Sequence, residues 1–260
     1  MKRKTILAVL AATAAALAVP ALSAQDEFHW TGKVAAGAAI EIKGVNGGIV
    51  ATGAAGGDVE VTAIKKGRKS DPAEVKVEVV EHAGGVTICA VYPSTGAPNE
   101  CKPGAGGRMS VRDNDVNVEF RVKVPAGVRF VGRTVNGGIE ANGITADAEA
   151  HTVNGGVELD ATGTARAETV NGGITARLGR TDWTGALTLS TVNGGIEMTM
   201  PEGLSADVKA STVNGDIQTD FPLTVTGRIS RRKLEGTIGS GGRLLELSTV
   251  NGGIELRKAR

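Results

Sequence analysis

The sequence predicts an all-β protein. It reads as a right-handed parallel β-solenoid, of the β-helix or β-roll kind, with coils of about 20 residues and a less regular strand-rich part before them. Three observations carry this. The phrase Val-Asn-Gly-Gly-Ile or a near copy begins at Val45, Val135, Val153, Val170, Val192, Val213 and Val250, and Thr precedes all but the first. Apolar residues alternate with polar ones on both sides of each phrase, a period of two. Gly is abundant, 38 of 260 residues, while aromatics make up 3%, a composition for turns and strands.

The asparagines set the period. From Asn136 they fall at Asn154, Asn171, Asn193, Asn214 and Asn251, in steps of 18, 17, 22, 21 and 37. A worn copy at 234–238 puts Glu235 in the Asn slot and divides the longest step, so that seven consecutive units follow one another. Asn46 marks an earlier, separate copy. Asn-Gly is the pair that most readily takes positive φ, which makes each phrase a sharp corner between strands. An antiparallel meander or sandwich, with Asn-Gly as a two-residue hairpin, is the alternative. It gives no reason for identical Thr, Val and Ile at every corner. Stacked coils do, because each Val then lies on the Val before it and each Asn can bond the next in a ladder. Parallel crossovers set the expected hand to the right.

Strand by strand the alternation holds. Leu187, Leu189 and Thr191 share a face, as do Val208, Ala210 and Thr212, Leu245, Leu247 and Thr249, and Val128, Phe130, Gly132 and Thr134. After the corner Ile196 and Met198 point in and Glu197 out. Strict alternation then sends each corner Val outward. A bulge that rotates Val back into the core is the expectation, since monomers seldom leave long apolar stripes bare. A bare stripe would be the best candidate interface.

In chain order, residues 1–24 read as a secretory signal: Lys2, Arg3 and Lys4, an apolar run of Ala, Leu and Val, then Pro20 and small residues that permit cleavage after Ser23 or Ala24. No later run is long enough to cross a bilayer. Residues 25–125 form the less regular part of the β domain, with strands near 40–49, 58–64, 74–80, 86–91 and 116–124, read as longer coils capping the rod; a small sandwich is the alternative. Residues 126–260 are the regular repeats. Cys89 and Cys101 flank a loop rich in Pro and Gly, and in an oxidising compartment they are expected to form a disulfide.

Little chemistry is legible. Lys plus Arg number 29 and Asp plus Glu 28; loss of the signal leaves a net charge of −2. Such a balance excludes an electrostatic case for nucleic acid or anionic membrane. His29, His82 and His151 stand far apart, and His151 reads as a solvated surface residue. Glu140, Glu158, Glu197 and Glu255 fall at like positions after the corner, interrupted by Thr175 and Gln218. Repulsion between stacked acids favours solvation over catalysis. Asp113-Asn114-Asp115 lacks the remaining ligands of a calcium loop and reads as a polar turn. No catalytic residue, cofactor site or metal site is expected.

The repeated Thr-Val-Asn-Gly-Gly-Ile-Glu, following a signal and a Val-rich strand that ends Val-Pro-Ala-Gly at 124–127, resembles a bacterial family of exported β-strand-repeat proteins known as "putative adhesin", a domain of unknown function. The resemblance spans roughly residues 35–257 and carries no catalytic residues. The repeats, the export signal and the missing catalytic set together give the expectation of a non-enzymatic, periplasmic or secreted cell-envelope protein that binds or scaffolds, with an envelope protein or polysaccharide as partner. A carbohydrate-active β-helix enzyme and a self-associating structural periplasmic protein are the competing expectations.

Overall fold

The computed structural model describes residues 24–225 and 230–259. The expected export signal lies outside the described residues, apart from Ala24, which opens the first strand. The less regular part contributes β1 (Ala24–Gly32), β2 (Ala39–Lys43), β3 (Ile49–Ala54), β4 (Val59–Gly67), a 3-10 turn at Pro72–Glu74, β5 (Lys76–His82), β6 (Gly85–Val91) and β7 (Asn117–Pro125). The repeats contribute β8 (Arg129–Arg133), β9 (Ile139–Ile144), β10 (Ala148–His151), β11 (Val157–Ala161), β12 (Ala165–Glu168), β13 (Ile174–Leu178), β14 (Ala186–Ser190) and β15 (Ile196–Met200). Then come β16 (Ala206–Ser211), β17 (Ile217–Thr219), β18 (Thr224–Val225), β19 (Lys233–Ile238), β20 (Leu244–Ser248) and β21 (Ile254–Lys258).

These strands make two facing sheets. One runs β1-β4-β7-β3-β9-β11-β13-β15-β21-β17, the other β18-β19-β16-β20-β14-β12-β10-β8-β2-β6-β5. Neighbouring coils pair in parallel and in register: Ile139 lies beside Val157, Val157 beside Ile174, Ile174 beside Ile196, and Ile196 beside Ile254. Identical residues at one place in every coil thus become rows. Ile49, Ile139, Ile174, Ile196 and Ile254 form a buried row on one sheet; Ile42, Ala150, Ala167, Leu189 and Leu247 belong to a buried row on the other. Each buried Ile or Leu side chain contributes on the order of 1.5–3 kcal/mol. Eight parallel layers separated by strand spacings give a rod of about 34 Å.

Stacking order departs from sequence order at both ends. β2 and β3 lie between β6 and β7 on one side and β8 and β9 on the other. At the far end β20 and β21 lie between β14 and β15 and β16 and β17. The first and last repeats therefore each sit one layer inside the stack.

Antiparallel strands close the ends. β4 and then β1 cover β7, β5 covers β6, and β19 covers β16. The last of these corrects the reading of 234–238 as a coil corner. Glu235 lies within β19, opposite Lys209 of the antiparallel β16. A carboxylate accepts hydrogen bonds and has no N–H with which to continue an amide ladder, so this segment returns along the open edge.

Candidate functional site

The repeated corner is built from four residues with separate tasks. The Thr before each Val is buried, with 3–6% of its surface exposed. Its hydroxyl donates to a carbonyl of the adjacent layer: Thr134 to Gly47, Thr152 to Gly137, Thr169 to Gly155, Thr191 to Gly172, Thr249 to Gly194 and Thr212 to Gly252, at 2.8–3.0 Å. The row therefore satisfies its own buried hydroxyls and locks the layers in register.

The Asn side chains form one continuous ladder. Asn136 donates to Asn46, Asn154 to Asn136, Asn171 to Asn154, Asn193 to Asn171, Asn251 to Asn193 and Asn214 to Asn251, at 2.7–2.9 Å. Backbone bonds reinforce it: Asn154 N donates to Val135 O at 2.7 Å, and Gly155 N to Asn171 O at 2.9 Å.

The glycines correct the expected corner geometry. Asp113 is the one non-glycine with positive φ among the described residues; of the first corner glycines Gly47 takes φ 126°, Gly215 and Gly252 are near-extended at 159°, and Gly137, Gly155, Gly172 and Gly194 are outside the left-handed region. No left-handed Asn is needed. What demands Gly is close approach: a Cβ at Gly137, Gly155, Gly172 or Gly194 would lie 2.0–2.1 Å from a carbonyl oxygen of the preceding layer. The second glycine is less constrained. A Cβ at Gly138, Gly156, Gly173 or Gly195 would meet a carbonyl at 3.3–3.6 Å, and Asp216 occupies this slot in one layer. These second glycines floor shallow depressions of about 390 and 270 Å³ beside Glu140 and Glu158, and beside Glu197 and Glu255.

The valines are not rotated into the core. Val135, Val153, Val170, Val192 and Val250 are each 38–39% exposed and Val213 54%. No bulge rotates these valines because the Thr hydroxyl and the Asn ladder already fix the two flanking positions, which leaves Val facing solvent. Six valines in stacking order, beside six exposed asparagines, make an apolar and amide-bearing stripe along one corner of the rod.

A second cluster lies on the outer face of the other sheet. His151, expected to be solvated, is pinned between two carboxylates, with Nε2 2.6 Å from Glu149 and Nδ1 3.1 Å from Glu168. Arg133 bridges Glu149 and Glu41, and Arg166 binds Glu168. The hydrogen bond from His151, aided by the charges of His151, Arg133 and Arg166, outweighs burial and holds the Glu149 carboxyl down to about 2. Glu168 is one coil beyond His151 in sequence, so only the repeat step could have brought the two together on paper.

Cys89 and Cys101 are joined in a disulfide. The loop it anchors folds over this sheet. The Lys43 ammonium donates to the carbonyls of Lys102, Gly104 and Gly106 at 2.7–2.9 Å, and Glu41 accepts from Gly104 N and from the buried Thr87 hydroxyl. At the polar turn 113–115, Asp115 accepts from the backbone of Lys69 and Ser70. Among the described residues no group of three or more His, Cys, Asp or Glu is placed to hold a metal ion, and no helix is long and apolar enough to cross a membrane.

Residues 50–257 match the family model described as Toastrack DUF4097. The chain belongs to the Toastrack family. Its fold is shared with a "putative cell adhesion protein" from Clostridium sporogenes, at 11% identity and a TM-score of 0.52, covering 90% of this Toastrack chain and 100% of the other. A "putative adhesin" from Bacteroides fragilis aligns over 90% of this chain and 97% of its own, at 11% identity and a TM-score of 0.37. No curated protein matches the Toastrack chain. At such identity the Clostridium likeness speaks to fold alone.

Proposed function

We propose that this protein is a non-enzymatic, exported cell-envelope rod that binds an envelope protein or polysaccharide along its Val-Asn corner. One observation carries the reading: six valines in successive layers stay exposed in register along one corner of the rod. A continuous apolar row rimmed by amides is the composition of a recognition surface, not of an idle one. The seven asparagines serve this surface by holding the rows in register. Export accords with the charged and apolar segment at 1–24, and with the disulfide, which persists in oxidising compartments. The adhesion label borne by the Clostridium protein of the same fold is in keeping with this reading.

The test compares the wild-type protein with Val153→Glu/Val192→Glu, which places the two charges in alternate layers, as bait against envelope proteins and cell-wall polysaccharide. The positions are exposed, so the variant is expected to keep the wild-type unfolding midpoint while losing capture. Equal capture by both, or none by either, overturns the reading.

A further inference from the structure

The two ends of the rod are finished differently. At the β17 end the outermost strands are short: three residues in β17 and two in β18. Short edges of this kind are a usual defence against edge-to-edge pairing. At the other end the outermost strand of the ten-stranded sheet is β1, nine residues long and, among the described residues, paired over its whole length with β4 alone, from Ala24 beside Gly67 to Gly32 beside Val59. Its register has no shift, its sequence has no proline, and its one neighbour leaves the N–H and C=O of alternate residues turned outward. Such an edge is a template for a further strand.

The sequence of β1 is complementary to itself. Antiparallel pairing about a two-fold axis at Phe28 sets Phe28 against the second copy's Phe28. It sets Glu27 against His29, and His29 against Glu27. Gln25 then faces Thr31, and Asp26 faces Trp30. Glu27 and His29 lie on the exposed face; Phe28 and Trp30 lie on the half-buried face, packed against the core. The exposed-face row therefore sets the Glu27 carboxylate beside the second copy's His29 imidazole twice, alongside the 3.4 Å contact the two make within the strand, and the inner row sets Phe28 against Phe28; carboxylate–imidazole and aromatic cross-strand pairs both stabilise. Moving the axis one face-preserving step toward the N-terminus would set Glu27 against Glu27, which repels. Asp26 is engaged by Lys65 at 2.6 Å and adds no unpaired charge.

We infer that β1 is a homodimerisation edge, through which two copies join end to end into one continuous twenty-stranded sheet. This is independent of the Val-Asn corner, which runs along the side of the rod and remains free in such a dimer. β5, the long edge of the second sheet at the same end, is the competing seam.

Sedimentation of the purified protein, together with oxidative cross-linking, tests it. The wild type is expected to sediment as a concentration-dependent dimer. Glu27→Lys is expected to weaken the dimer at least about tenfold, because both symmetric pairs lose the carboxylate to which the imidazole N–H donates, and Glu27→Lys/His29→Glu, which makes both pairs ammonium–carboxylate, is expected to restore it. Phe28→Cys is expected to yield a covalent dimer, since directly opposed residues bring their Cβ atoms within disulfide reach; the native cysteines are already paired. A strict monomer at all concentrations overturns the inference. So does a dimer that is indifferent to Glu27→Lys, or one that cross-links through Val79→Cys in β5 and not through Phe28→Cys.

Discussion

Asn251 donates its side-chain amide to Asn193 at 2.7 Å across 58 residues of sequence, and Asn214 donates to Asn251 at 2.8 Å. The last repeat of the chain is thus the bridge between two repeats that are neighbours in sequence. Ending the chain after residue 242 removes β20 and β21 and leaves β16 and β17 with no parallel partner. Hydrogen exchange is expected to show loss of protection across 206–219, while 129–178 stays protected. Retained protection at 206–219 would mean that the two repeats can close on each other directly.

The buried Thr row separates packing from hydrogen bonding. Thr169→Val keeps the shape and removes the donor to Gly155 O. The expected cost is about 1–3 kcal/mol, the penalty of leaving a buried acceptor unmet. Thr169→Ser, which retains the hydroxyl, is expected to cost less. Urea denaturation of the two variants decides the matter.

Gly172→Ala is expected to destabilise by about 1–3 kcal/mol, the usual cost of overpacking, because its Cβ would lie 2.0 Å from Gly155 O. Gly173→Ala, where the nearest atom is a carbonyl oxygen at 3.4 Å, is expected to cost less than half as much. The same ordering of unfolding midpoints is expected in any layer where both glycines are present.

The carboxylates around His151 predict acid sensitivity. Glu149 is depressed from 4.5 to about 2 in the folded protein. A depressed folded value means that its contribution to stability is present above about pH 4.5 and is lost as pH falls toward 2. Glu149→Gln is expected to lower stability at neutral pH and to flatten the acid limb over that window. Urea midpoints measured across the window for both proteins check this; identical slopes would remove Glu149 from the account.

Much of this was legible beforehand because a solenoid turns a sequence position into a row. Thr169 and Leu189 could be placed inward from alternation alone, and the asparagine steps located the corners. Three things were not legible, each for a physical reason. The stacking order was hidden because the phrases at Asn214 and Asn251 are nearly alike, and either can bond Asn193. The exposure of Val170 depended on bonds made by its neighbours, Thr169 and Asn171, that hold the backbone where no bulge can form. The contact between His151 and Glu168 joins two coils; the 17-residue step from Asn154 to Asn171, applied to His151, leads to Glu168 and was the available signal.

The inward position of both terminal repeats limits how such a protein can lengthen. A coil added ahead of residue 39 or after residue 258 cannot stack on the repeat it adjoins, because both faces of that repeat are already taken by other parts of the chain. New coils fit by duplication of the interior, between Asn136 and Asn193, where neighbours along the gene are also neighbours in space. Growth of the rod is therefore an insertion problem, which leaves the arrangement of both ends as it is.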